Sequence, residues 1–125
     1  MQQRTLLFIQ LEIDMIKRSI AEEEQFIKAE EEFIPFSIAH NMPTEPTEKL
    51  IETMKATLAR YEKKLSKAEA EEKAFMDKLN GIDDPEVKEM AKAYFIDLES
   101  CEAIGKRHFL ERTTVYKKIQ RYFEA

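Results

Sequence analysis

CEAIGKRHFLERTTVYKKIQRYF, residues 101–123, is the stretch on which the reading of the fold turns. A short helix is expected to begin at Glu99 or Ser100 and run to Arg107, burying Ala103 and Ile104. A second is expected from about Glu111 to Phe123, with Val115, Ile119 and Tyr122 or Phe123 turned inward, because steps of three and four residues return to one face of a helix. Ile104 to Ala125 also carries six basic side chains (Lys106, Arg107, Arg112, Lys117, Lys118, Arg121) against Glu111 and Glu124. That local excess matters more than the chain's net charge of -5, because salt screens distant acids while leaving the nearby field.

Working outward, Asp83 and Asp84 precede Pro85, a capping residue followed by proline at the first helical position. Val87, Met90, Ala91, Tyr94 and Phe95 then line a helix expected to end near Asp97 or Leu98. Residues 81–125 therefore read as a tri-helical domain. Further back, Leu6, Ile9, Ile13, Ile16, Ile20, Ile27 and Ile34 make one stripe of a long helix, broadened by Phe8, Leu11, Met15, Phe26 and Phe33. Pro35 and the stretch from Ala39 to Pro46 are expected to break it, with Thr44 or Thr47 capping the next helix. Ile51, Met54, Leu58, Tyr61, Leu65, Ala68, Phe75 and Leu79 give the second periodic stretch, which is expected to stop at Asn80 with Gly81 in a left-handed conformation.

The expected fold is all-α: a long antiparallel helical hairpin, residues 1–80, followed by the tri-helical domain. The composition agrees, with 2 glycines and 4 prolines among 125 residues and 36% charged. A two-helix hairpin has little interior, so two copies are expected to pair as a homodimer through Ile9, Ile13, Ile16, Ile20, Ile51, Met54, Leu58, Tyr61 and Leu65. Packing of the hairpin against the C-terminal domain of the same chain is the alternative. No apolar run reaches the roughly 18 residues of a membrane span, the start lacks the features of a secretory signal, and Cys101 is a lone cysteine. A cytoplasmic protein is expected, without metal or cofactor. Glu22 to Glu24 and Glu30 to Glu32 read as solvated helix faces, since consecutive residues on a helix point in different directions.

Residues 101–123 resemble the tri-helical helix-turn-helix domains of sigma-factor region four and of many repressors and activators. Ala103, Ile104 and Gly105 match that family's alanine, isoleucine and small residue, and Thr114 and Val115 match its threonine and valine just inside the recognition helix. His108 stands where leucine is usual and Glu111 where serine is usual, although a glutamate can still cap through its carboxylate. A helical arm before such a motif is similar to the small late-transcription regulators of phages and mobile elements. This likeness implies a sequence-specific regulator of double-stranded DNA, a late-gene activator acting as a dimer in a bacterial or phage-infected cell, with host RNA polymerase a further partner.

In that geometry the last helix enters the major groove. Glu111, Arg112, Thr113, Tyr116 and Lys117 are the candidates for base edges, while Lys106, Arg107, Lys118 and Arg121 are placed for phosphates. Two other readings stay open. A small terminase subunit would join such a motif to a ring-forming helical region, and a protein-interaction module would use the acidic helices to bind a host protein without reading DNA. An enzyme is not expected: there is no glycine-rich phosphate loop, and His40 and His108 are far apart in sequence.

Overall fold

The computed structural model describes residues 2–124; Ala125, the last residue of the expected C-terminal domain, lies outside them. The described residues form five helices and no strands: α1 (Thr5–Ala39), α2 (Glu45–Asn80), α3 (Pro85–Phe95), α4 (Cys101–His108) and α5 (Arg112–Phe123). Among them, no helix is long and apolar enough to cross a membrane. The chain divides into two compact units, one holding Glu12–Ala68 and the other the stretch up to Leu11 together with everything from Glu69 onward. In the second of these units the apolar end of α2 packs with the C-terminal helices.

In the Glu12–Ala68 unit, α1 and α2 run antiparallel about the connection at residues 40–44. Ile13, Ile16, Ile27, Ile51 and Ala68 are buried along the seam, and Lys55 reaches Glu31 across it at 3.7 Å. Pro35 does not end α1, which continues to Ala39. Proline removes one N–H and crowds the carbonyl four residues back, but Pro35 is exposed, with Ile34 half-buried and Ser37 buried beside it. The real stop is Asn41, at φ 53°, where the Asn41 N–H donates to the Ile38 carbonyl and the Met42 N–H to the Ser37 carbonyl at 2.8 Å. These are the two bonds of a Schellman ending, and asparagine tolerates the left-handed position they need. Thr44 sits before α2, its carbonyl accepting from the Glu48 N–H at 3.0 Å.

In the other unit, Leu79, Ile82, Val87, Met90, Phe95, Ile104, Val115 and Ile119 make the centre of the core. Phe75 of α2 meets Phe95 edge-on at 4.8 Å and stacks on Phe123 at 5.0 Å, binding the end of α2 to α3 and α5. Gly81 is not left-handed; its N–H continues the helical pattern to the Asp77 carbonyl at 2.9 Å. Asp84 caps α3 as expected, its carboxylate accepting from the N–H groups of Glu86 and Val87, with Pro85 following. The α3 helix ends at Phe95, earlier than expected, and Leu98 at φ 56° turns the chain toward α4.

Candidate nucleic-acid interface

The connection between α4 and α5 is fixed by three residues. Gly105 is buried in α4, and its carbonyl accepts the N–H of Phe109 and of Leu110, the latter at 2.9 Å. A Cβ at Gly105 would collide with the Leu110 carbonyl oxygen and stand 3.3 Å from its carbon, so the close approach of the two helices requires glycine here. Phe109 supplies the turn with φ 58° and ψ 40°, a left-handed conformation unusual for an aromatic residue, and its ring is 94% exposed. Beyond it Leu110 packs on the core and α5 begins.

Sequence reading placed Ala103 in the core, but Ile104 and Gly105 are the buried residues of α4 and Ala103 is exposed. Ser100 caps the helix by accepting the Ala103 N–H at 3.1 Å; Ile104 in the core and Gly105 against Leu110 set the buried face, and Ala103, one residue's rotation back from Ile104, falls outside it. Glu111 flanks α5 but makes no side-chain capping bond. His108 is half-buried at the end of α4. Cys101 is also half-buried, and burial pushes its thiol above the ordinary value.

Val115 and Ile119 anchor α5 to the core, which leaves the opposite face of the helix to solvent. Thr113, Lys117 and Arg121 follow one another at steps of four on that face and are exposed. Glu111, Arg112 and Thr113 line an open cavity of about 410 Å³ with Glu102 and Lys106. Arg112, Thr113, Tyr116 and Lys117 line a second, of about 280 Å³, beside Cys101. The five residues expected at base edges thus gather around the first turns of α5, with Tyr116 half-buried as both its ring and hydroxyl allow.

The basic side chains divide into two groups. Arg107, expected to be free for phosphate, is held by Glu99 through both guanidinium nitrogens, Nη2 donating to Oε2 at 2.7 Å and Nη1 to Oε1. This fork lowers the Glu99 carboxyl and raises the Arg107 guanidinium from their ordinary values. Lys106 reaches Glu102 at 3.8 Å, one turn back on the same helix, with both side chains largely exposed. Among the described residues, Arg112, Lys117, Lys118 and Arg121 take no ion pair. The Glu99 partnership was hidden from sequence reading because eight residues separate it from Arg107; the side chains meet only once α4 has folded onto its capped start.

No family model, curated protein or solved structure matches the chain.

Two further contacts steady this surface. The Tyr122 hydroxyl donates to the Asp83 carboxylate at 2.7 Å, tying the end of α5 to the approach of α3. That bond holds the Asp83 carboxyl below its usual range. The side chain of Gln3 donates to the Glu99 carbonyl, so the loop that carries Glu99 is fastened from the start of the chain as well.

Proposed function

We propose that the chain is a sequence-specific double-stranded DNA-binding transcription regulator of phage type, acting as a dimer and serving as a late-gene activator. In this reading α4 and α5 are a helix-turn-helix and α5 is its reading helix. One observation carries the proposal: α5, held to the core by Val115 and Ile119, carries exposed Arg112, Lys117 and Arg121 and half-buried Lys118, none of them ion-paired among the described residues, together with exposed Thr113. Such a helix offers what a groove requires, cations for phosphates at its edges and a guanidinium and hydroxyl for base edges near its start. Polymerase contact falls to the acidic side chains of the long helices.

Glu99 gives the site a refinement. By occupying Arg107 it removes one cation from the phosphate-facing set, as Glu102 does more weakly for Lys106, and leaves the charge of α5 as the footprint, so affinity depends on few contacts per copy. Two copies on one duplex then gain from effective concentration.

The test is fluorescence anisotropy with labelled duplex, first random and then selected from a degenerate pool, at about 50 and 200 mM salt. Capture at the lower salt, weakening at the higher and enrichment of a sequence from the pool are expected. Absence of capture at low salt would overturn the DNA reading and turn attention to protein partners.

A further inference from the structure

Within the Glu12–Ala68 unit, α1 carries two apolar stripes and the hairpin uses one. Ile13, Ile16 and Ile27 are buried toward α2. Met15, Phe26 and Phe33 lie within about 20° of one line along the helix and roughly 120° around from that seam. They are 66%, 56% and 39% exposed. The same helix ends with Phe36 and Ile38 exposed as well. Scattered exposed apolar residues need no partner, but several large ones in line on one helix do.

We infer that this second stripe of α1 is the site at which a second copy of the chain docks, α1 against α1 and antiparallel, with the two-fold axis passing near residue 24. This replaces the interface expected from the sequence, because Ile13, Ile16 and Ile51 are already buried inside one chain and Ile20, Met54, Leu58, Tyr61 and Leu65 are half-buried there. It rests on the dimeric part of the proposed function and is independent of DNA binding.

Three features point to a second copy. The first is self-complementarity: about an axis near residue 24, Met15 meets the partner's Phe33 and Phe33 meets the partner's Met15, a sulfur against a ring on each side. The two Phe26 rings then lie about 6 Å apart along the helices, inside the range for aromatic pairs. The second is charge. Arg18 flanks the stripe, is exposed and has no ion pair among the described residues; antiparallel docking sets it beside the partner's Glu32. A parallel pair would instead align Glu30 to Glu32 with their own copies, like charges against like, whereas Glu22 to Glu24 lie near the axis and neighbour their own copies in either register. The third is α2, which cannot supply the opposing surface. Among the described residues it exposes one large apolar side chain, Leu50, while Arg60, Lys63, Lys64 and Lys67 gather on one exposed face, so it offers no matching row of large apolar side chains.

The experiment uses the full chain in a Cys101→Ser background, so that the only thiols are those introduced. Light scattering should give twice the 14.8 kDa mass of one chain. Met15→Cys and Phe33→Cys are then oxidised separately and as an equimolar mixture, and resolved on a non-reducing gel. In the antiparallel pair the two copies of position 15 stand about 27 Å apart, so neither variant alone should cross-link while the mixture should. Cross-linking of either variant by itself would overturn the antiparallel register. A dimeric mass with no cross-link in any sample would overturn the interface and leave dimerisation standing, whereas a monomeric mass for the parent chain would remove both. Phe26→Glu gives a second reading: helical circular dichroism should be unchanged while the mass falls to that of one chain, and a mass still doubled would count against the stripe.

Discussion

Gly105 and Phe109 sit four residues apart and make opposite demands on the turn that joins α4 to α5. At Gly105 any side chain would strike the backbone of Leu110, which cannot retreat because the Leu110 N–H is bonded to the Gly105 carbonyl. Gly105→Ala should therefore cost about 2–3 kcal/mol, read as a fall in urea midpoint, and an unchanged midpoint would mean that the helices are not so closely opposed. Phe109 holds a left-handed conformation that costs a side-chain-bearing residue roughly 1–2 kcal/mol, and its exposed ring recovers little by packing. Phe109→Gly removes the strain but adds unfolded-state entropy, so a net gain of about 0.5–1 kcal/mol is expected from the same measurement. A loss would show that the ring packs on something. At Cys101, burial raises the thiol and so lowers its thiolate fraction at neutral pH, and alkylation by iodoacetamide should be slower than for an unstructured peptide thiol.

Between elements, two bonds to carboxylates hold the C-terminal helices: the ion pair of Glu99 with Arg107, and the hydrogen bond that the Tyr122 hydroxyl donates to Asp83. Both carboxyls lie below their ordinary values in the folded chain, chiefly through the hydrogen bonds they accept. A depressed carboxyl contributes stability that is fully present above its unfolded value and is lost as pH falls through the folded one. Urea midpoints should therefore decline on acidification through the carboxylate range, and the decline should be shallower in Glu99→Gln, which no longer titrates there. On α1, Pro35→Ala restores one backbone N–H and relieves crowding at the Glu31 carbonyl, and should stabilise the hairpin by about 1–3 kcal/mol. Periodicity made the all-helical class, both long helices and the Asp84–Pro85 start of α3 legible, because those signals are local. The continuation through Pro35, the ending at Asn41 and the unstrained Gly81 were not, since each is decided by which turn the neighbouring helix supports. In the candidate site, the clustering of Arg112, Thr113 and Lys117 followed from their spacing, whereas the capture of Arg107 by Glu99 depends on where Ser100 starts α4.

For the whole molecule, the proposed function and the inferred α1 pairing meet in one quantity, the dependence of DNA affinity on salt. Each phosphate neutralised contributes about 0.9 to the slope of log affinity against log salt. If Arg112, Lys117, Lys118 and Arg121 all served as phosphate contacts, one copy would give a slope near −3.6 and a dimer near −7. Any of them diverted to a base edge lowers that value, so a parent slope between about −4 and −7 is expected from anisotropy titrations. Phe26→Glu, if it separates the copies, should bring the slope to roughly half the parent value without altering α5. Glu99→Gln works in the other direction by releasing Arg107, and should steepen the slope by about 1 for each copy while tightening random and selected duplexes alike. The two variants divide the molecule cleanly, because one changes the number of copies of α5 in the assembly and the other the charge beside each. A Phe26→Glu protein that is monomeric yet keeps the full slope would mean that a single α5 carries the whole footprint, and the pairing of copies would then serve something other than DNA.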